Sequence, residues 1–357
     1  MKLILCGDIV PTERTTPTFE AGDGAELMGD TLEDLRAADF SVANLECALT
    51  DGEMPIRKCG PNLKGRPKYA RLLADCGLTH LGMSNNHVMD YGEAGMRQTE
   101  QAIREAGMTP FGTGEDDQDS RRPLFLEKDG VRVAIVAVCE HEYSYALPHR
   151  YGANPFDPFD TMEDVARARE QADCVIVMYH GGKEQCEYPS PRLRKACRAM
   201  ARAGANLIVC QHSHCVGCRE RYRDCEIVYG TGNFNFVAHS EHPHWRSGLM
   251  LRVAADSAGL SVEYVPVVPN AREDGVERAS GARRDEILSG FEARSALMQD
   301  EKRWISEWRA FCQSVAPNYE RAAQRFGDQI FPHYLDCEAH LDVWQTLFET
   351  WHRTDNP

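Results

Sequence analysis

The chain has 357 residues, of which 42% are hydrophobic and 27% are charged, a composition typical of a folded globular protein. Its formal net charge is −15, which argues against nucleic acid or an anionic membrane as the main partner. A small or polymeric anionic substrate is compatible with this charge, because a bound metal ion can dominate the local field.

The first eight residues, Met1 to Asp8, contain a few apolar side chains before an acidic one. This pattern predicts a first strand and not a signal peptide, and we find no apolar run long enough to cross a bilayer. We therefore expect a cytoplasmic protein without an integral membrane segment. The 14 cysteines are interpreted as reduced thiols and not as a disulfide framework.

Strands and helices alternate along the first 270 residues, and polar residues repeatedly follow the strands. This rhythm predicts a layered α/β domain, which two later strands close. The predicted strands are 2–8, 40–42, 78–83, 131–139, 174–179, a further one that ends at His212, 248–253 and 260–268, and the predicted helices are 30–38, 67–76, 92–106, 162–171 and 191–203.

The character of the chain changes near residue 283, where charged helical sequence with Trp and Leu begins. We therefore expect a first domain over residues 1–270 and a helical C-terminal extension over residues 283–357. The pattern leaves three roles open for the extension. It could pack on the core, cover the site or mediate formation of a homo-oligomer.

Side chains that bind metal ions follow five of the predicted strands, at the edge where α/β proteins place their chemistry. Each alone has a structural explanation, such as a helix N-cap for Asp8 or a core histidine for His180. Together they form a mixed oxygen and nitrogen donor set that suits Mn, Fe, Zn or Ni. The set consists of Asp8, Asn44, Glu46, Asn86, His87, His180, His212 and His214.

The order of the motifs resembles that of the CapA family, which is associated with poly-γ-glutamate capsule synthesis and is similar to the calcineurin-like metallophosphoesterases. The resemblance covers roughly residues 1–270 and implies a double-sheet α/β sandwich with one or two divalent metal ions, most simply Mn, Fe or Zn. The motifs are Gly7-Asp8, Asn44-Leu45-Glu46, Asn85-Asn86-His87 with Asp90-Tyr91-Gly92, His180-Gly181, His212-Ser213-His214 and Gly232-Asn233-Phe234.

The resemblance also implies roles for these residues. Asp8 would be a ligand from the first motif, and Glu46 would take the bridging place that aspartate usually holds. His87 would protonate the leaving group. Asn86, His180 and His212 would hold one ion, and His214 would hold the other.

The chain departs from the family pattern in two places, the first motif and Glu46. The usual first motif is Asp-x-His, whereas this chain has Asp8-Ile9-Val10, so one ion loses an imidazole ligand. Glu46 in place of aspartate lengthens the bridge by one methylene. The side chain of Asn44, two residues before Glu46, could point at the site or at the opposite face of the sheet.

A cationic loop precedes the second helix and could bind a phosphate or a carboxylate. The alternative for this loop is a solvated surface turn. Its cations are Arg57, Lys58, Lys64 and Arg66.

Two functions from different classes fit these observations. The first is a metal-dependent hydrolase, in which a metal-activated water attacks a phosphoester or a γ-glutamyl-type amide. The second is a non-catalytic accessory metal-binding protein in poly-γ-glutamate handling. A separate structural zinc at Cys215 and Cys218 is also conceivable, although their surrounding cysteine spacing is poor.

Overall fold

The computed structural model of the protein describes residues 1–238, 242–325 and 330–352. In chain order, its strands are β1 (Lys2–Ile9), β2 (Phe40–Leu45), β3 (Ala48–Leu49), β4 (Lys64–Gly65), β5 (His80–Gly82), β6 (Thr109–Phe111), β7 (Thr113–Gly114), β8 (Leu124–Lys128), β9 (Val131–Cys139), β10 (Gly152–Ala153), β11 (Cys174–His180), β12 (Leu207–Gln211), β13 (Arg219–Tyr222), β14 (Cys225–Val228), β15 (Asn233–Asn235), β16 (Gly248–Asp256), β17 (Gly259–Pro269) and β18 (Val276–Arg278). The helices are α1 (Thr16–Ala21), α2 (Gly24–Met28), α3 (Thr31–Ala37), α4 (Tyr69–Asp75), α5 (Gly92–Glu105), α6 (Asp117–Ser120), α7 (Asp160–Gln171), α8 (Pro191–Ala203), α9 (Gly281–Met298), α10 (Glu301–Ala323), α11 (Ile330–Asp336) and α12 (Glu338–His352), with a 3₁₀ turn at Pro243–Arg246.

Most of the strands belong to two large sheets. One has the order β18-β17-β16-β1-β2-β5-β6, with β15 also paired to β1, and the other has the order β13-β14-β12-β11-β9-β8. Strands β1, β2, β5 and β6 run parallel, as do β9, β11, β12 and β14. The carboxyl ends of parallel strands meet at one edge of a sheet, which is why the polar residues that follow them are brought together.

The two sheets pack face to face through the alternate side chains that each strand directs inward. Leu5 and Val42 from the first sheet and Ile135, Ile176 and Val209 from the second belong to one buried cluster. Complete burial of each such side chain stabilises the fold by roughly 1.5–3 kcal/mol.

Helices cover both outer faces of this sandwich. On the face of the first sheet, α5 buries Met96, Thr99 and Ile103, which recur at helical spacing. On the face of the second sheet, α8 begins at the N-cap Ser190, whose hydroxyl accepts a hydrogen bond from the amide of Leu193. The predicted double-sheet α/β sandwich is therefore confirmed.

The C-terminal helices pack on the core and do not project away from it. Helix α9 lies against β13 and β17, and Trp304 of α10 is buried in the outer cluster of the second sheet. Farther along, Trp308 and Tyr319 of α10 pack with Val343 and Leu347 of α12. The helical extension is confirmed over its described part, and residues 326–329 and 353–357 of the predicted segment lie outside the described residues.

Polar contacts tie the last helix to loops of the sandwich. The imidazole of His141 lies 2.5 Å from the carboxylate of Glu338, and Arg192 contacts both Asp342 (2.9 Å) and Glu140 (2.5 Å). Two of the three roles considered are observed, because the extension packs on the core and also lines a cavity beside His87 and His212. A homo-oligomer stays a prediction. None of the described helices combines the length and the apolar character needed to cross a membrane.

We expect Trp308→Ala to loosen the C-terminal helices selectively. The Trp308 side chain is only 1% exposed, and its indole donates a hydrogen bond to Thr346. Removing it should cost about 3–5 kcal/mol. Hydrogen exchange should show faster exchange in α10 and α12 with β1 and β11 still protected. Phe159→Ala, at a side chain 79% exposed, is the control, and equal effects of the two changes would contradict this packing.

Candidate metal centre

The strand ends of both sheets converge on one buried site. Asp8 of β1 pairs in register with Asn44 of β2 on one side and with Asn233 of β15 on the other. Gly7 permits this close approach, because a Cβ at that position would lie 2.7 Å from the carbonyl oxygen of Gly232. From the second sheet, His180 ends β11, and its ring contacts the side chain of Asn44 of β2.

The side chain of Asn44 points at the site and not at the opposite face of the sheet. Its amide nitrogen donates to Asp8 Oδ1 at 2.7 Å and lies 3.2 Å from Nδ1 of His180. Its carbonyl oxygen accepts from the amide of Asn85 at 3.0 Å. Asn44 therefore orients two of the predicted ligands, and Asn85, which was not predicted as a site residue, orients Asn44.

Glu46 is at the centre of the site and has a fully buried carboxylate. Its Oε1 lies 3.2 Å from Nε2 of His180. Within the described residues, neither carboxylate oxygen of Glu46 accepts a hydrogen bond, nor does Oδ2 of Asp8. Burial, together with the carboxylate of Asp8, raises the pKa of Glu46. Buried carboxylates without such partners are costly unless a cation compensates them, so the donor set fits a divalent metal ion.

His212 and His214 approach this carboxylate from the loop after β12. One donor atom from each of Glu46, His212 and His214 lies within 4.8 Å of the others. Both histidines have a positive φ, 81° and 53°, a conformation that costs a non-glycine residue about 1–3 kcal/mol. In this backbone conformation, both rings bring a donor atom close to the carboxylate of Glu46.

The pKa values of these imidazoles are shifted in opposite directions. Burial lowers the pKa of His212 to about 3 and that of His180 to about 4, so both rings are neutral, as metal binding requires. Burial also acts on His214, but the carboxylates of Glu46 and Asp8 outweigh it and raise the pKa. Nδ1 of His214 lies 2.9 Å from the side-chain oxygen Oδ1 of Asn233, which fixes the ring.

Asn86 lies between the donor atoms around Glu46 and a neighbouring cavity. Its carbonyl oxygen lies 3.0 Å from Nε2 of His180, and its amide donates to Glu142 at 2.5 Å. The amide is thereby held with its oxygen toward the other donors. Glu142 follows β9 and its pKa is raised by burial.

His87 belongs to a buried chain of polar contacts next to the metal-type donors. Its Nδ1 lies 2.6 Å from Oδ2 of Asp90, and Oδ1 of Asp90 lies 2.5 Å from the ammonium of Lys58. Burial lowers the pKa of His87, and the hydrogen bond with Asp90 opposes this shift. With Nδ1 turned to Asp90, the other ring nitrogen is the one that a bound molecule can meet.

A cavity of about 210 Å³ opens beside His87 and His212. Both the sandwich and the C-terminal helices line it, so the extension covers part of the site. The lining includes Lys58, Asn86, His87, Glu142, Lys183 and His212 from the sandwich and His333, Tyr334 and His340 from the extension.

The predicted cationic loop divides between the cavity and the surface. Lys58 lines the cavity. Arg57 is exposed, Lys64 lies over the ring of Tyr91, and Arg66 pairs with Glu20 at the surface. Two residues of the cavity wall that sequence reasoning missed are Lys183, from the loop after β11, and His333, from the extension. Their positions depend on tertiary packing, so no local sequence signal marked them.

The alternative zinc cysteines do not converge in the structure. The thiol of Cys215 donates to the carbonyl oxygen of Ser213, whereas Cys218 contacts the sulfur of Met298. Both are buried in apolar surroundings. They therefore behave as small core residues.

A family model described as bacterial capsule synthesis protein PGA_cap matches residues 2–238. The chain belongs to this family. The resemblance inferred from the motifs is thereby confirmed. The match ends before the C-terminal helices, so these helices lie outside the family-matched region.

Two relatives carry related names. The chain is 29% identical over 211 residues to capsule biosynthesis protein CapA of Bacillus anthracis, covering 57% of this chain and 51% of that protein. It is 30% identical over 225 residues to PGA biosynthesis protein CapA of Bacillus subtilis, covering 60% and 57%. The chain thus spans little more than half the length of these relatives.

Among solved structures, a 5'-nucleotidase precursor from Thermus thermophilus aligns at 12% identity with a TM-score of 0.47, covering 84% of this chain and 60% of that one. A likeness at this level supports no inference about activity.

Glu46→Gln should lower metal binding and, at neutral pH, stabilise the metal-free protein. The change removes a buried charge whose oxygens accept no hydrogen bond from the described residues, which should raise the metal-free free energy of unfolding by about 1–3 kcal/mol. Metal analysis after dialysis and denaturant unfolding with a chelator would test both effects. Glu263→Gln, at a 65% exposed carboxylate, should change neither. Unchanged metal content in Glu46→Gln would contradict the central place of Glu46.

Proposed function

We propose that the protein is a metal-dependent hydrolase that acts on an anionic phosphoester or γ-glutamyl-type amide. The observation that carries this proposal is the buried carboxylate of Glu46, whose oxygens accept no hydrogen bond from the described residues while His180, His212 and His214 surround it. Three imidazoles around a buried carboxylate are typical of a metal-binding site. Without an ion, the same arrangement would be an unfavourable core.

Two overlapping ligand sets can be assigned around Glu46. Asn86, His180 and His212 form one set, Asp8 and His214 form the other, and Glu46 is shared. Mn, Fe or Zn suits these donors. Divalent ions bound here would supply Lewis acidity, which makes a water nucleophilic at neutral pH and polarises the substrate.

His87 is the proposed proton donor to the leaving group. Asp90 holds its Nδ1, so Nε2 is presented to the cavity with a defined orientation. An anionic substrate beside this ring would favour its protonated form, opposing the effect of burial. Lys58 neutralises Asp90 and keeps that carboxylate in place.

Lys183 lies on the cavity wall and is the proposed contact for an anionic group of the substrate, because Lys58 is paired with Asp90 and burial lowers the pKa of His333. Charge-assisted hydrogen bonds from such groups recognise phosphate and carboxylate equally well. The names of the Bacillus relatives, for capsule and PGA biosynthesis, favour a γ-glutamyl amide among the candidate substrates.

A second function is an accessory metal-binding role in poly-γ-glutamate handling without turnover. The observation that favours it is the first motif, Asp8-Ile9-Val10, in which Ile9 and Val10 are fully buried apolar side chains. One ion then has fewer imidazole ligands than the family pattern provides. A site with a weak second ion would bind an anion without hydrolysing it.

We expect His87→Ala and His212→Ala to separate chemistry from metal binding. With Mn²⁺ added, an aryl phosphate and a γ-glutamyl anilide serve as substrates. His87→Ala should lower kcat by about 10²–10⁴-fold and retain its metal, because it removes a proton donor. His212→Ala should lose metal as well as activity.

The exposed residue His149 provides the control, since His149→Ala should change neither property. A wild-type protein that binds metal and turns over neither substrate would favour the accessory role. Loss of metal in His87→Ala would overturn the assignment of His87 as a proton donor.

Lys183→Ala should weaken the binding of inorganic phosphate as a competitive ligand by roughly 10–100-fold, the effect of losing a hydrogen bond to a charged group. Calorimetric titration of the Mn²⁺-loaded protein would measure this. Arg66→Ala removes an equal charge from a surface pair with Glu20 and should leave phosphate affinity unchanged. Equal losses in both variants would show that general charge, and not the cavity wall, attracts the anion.

A further inference from the structure

The C-terminal extension brings a second group of metal-type side chains to the wall of the cavity. His333 lies on α11, Cys337 lies between α11 and α12, and His340 lies on the first turn of α12. The spacing His-x₃-Cys-x₂-His is within the range of zinc-ligand pairs on short helical segments. Cys337 is 1% exposed and His340 is 7% exposed, so neither is a surface side chain.

Glu142 completes this group from the sandwich. One donor atom from each of Glu142, Cys337 and His340 lies within 4.8 Å of the others. Nε2 of His333 lies 3.4 Å from Oε1 of Glu142. Three donors are thus grouped together, and His333 lies beside one of them. One sulfur, two imidazole nitrogens and one carboxylate oxygen are donors of the kind that zinc binds.

Outer contacts hold two of these side chains in place. Nδ1 of His340 lies 2.6 Å from the hydroxyl of the buried Tyr319, so Nε2 is the nitrogen through which His340 would bind an ion. Oε2 of Glu142 accepts the hydrogen bond from Asn86, which leaves Oε1 on the side of His333. Hydrogen bonds of this kind typically hold the side chains of metal ligands in a fixed orientation.

We propose that Glu142, His333, Cys337 and His340 form a separate zinc site that fastens the C-terminal extension to the sandwich. The charges balance, because a thiolate and a carboxylate neutralise Zn²⁺. Three ligands come from the extension and one comes from the loop after β9. The ion would therefore hold His333, Tyr334 and His340, which line the cavity, in a fixed position against the sandwich. This site shares no ligand with the set around Glu46, although Glu142 also orients Asn86.

Cobalt substitution distinguishes this site, because a thiolate ligand to Co²⁺ produces a near-ultraviolet charge-transfer band that nitrogen and oxygen ligands do not. Metal-free full-length protein is titrated with Co²⁺ under reducing, oxygen-free conditions. We expect the band to appear in the wild type and to be lost in Cys337→Ser, with one fewer bound ion per chain. Cys59→Ser is the matched control, since Cys59 also lines the cavity but lies outside the proposed ligand group, and it should keep the band.

His212→Ala makes the outcome independent of the hydrolase proposal. It should lose cobalt from the set around Glu46 and keep the charge-transfer band, whatever its activity. Absence of the band in the wild type, or its persistence in Cys337→Ser, would overturn the zinc site. If Cys337→Ser misfolds, His340→Gln should change the energy of the band and weaken cobalt binding while the thiolate remains, and an unaltered band there would also overturn it.

Discussion

The carboxylate of Glu46 imposes the constraint on which the rest of the site depends. A buried anion whose oxygens accept no hydrogen bond from the described residues destabilises a fold unless cationic partners are arranged around it. His180 and His212 are neutral, so the strand ends of both sheets place metal-binding donor atoms around it and not a set of cationic partners. His180 arrives from one sheet, Asp8 and Asn44 arrive from the other, and the loop with His212 and His214 takes a strained conformation to reach the same point. A divalent ion would supply a counter-charge that this geometry fits.

The neutral and charged forms of the surrounding groups follow from the same constraint. Burial keeps His180 and His212 neutral by lowering their pKa values, and it raises the pKa of Glu46. Asparagine amides, which carry no charge, then orient the ligands without adding to the electrostatic cost. Asn44 bonds Asp8, and Asn86 contacts His180.

The C-terminal helices form part of the cavity wall. The family match ends at residue 238, whereas His333, Tyr334 and His340 line the cavity. The family-matched part of the chain therefore provides the donors around Glu46, and the extension provides a wall that the match does not include.

Much of the fold and of the metal-type donor set could be predicted from the sequence by itself. The alternation of apolar strands and helices determined a layered α/β domain, and strand ends with Asp, Asn and His marked the donors, because these signals are local. Other features required the tertiary structure. The side chain of Asn44 points at the site, and Lys58 lines the cavity while Arg66 pairs at the surface. His333 and Cys337 approach Glu142. All of these placements depend on how distant segments pack. Periodicity specifies which face of an element is buried, but only long-range packing decides which two buried faces meet.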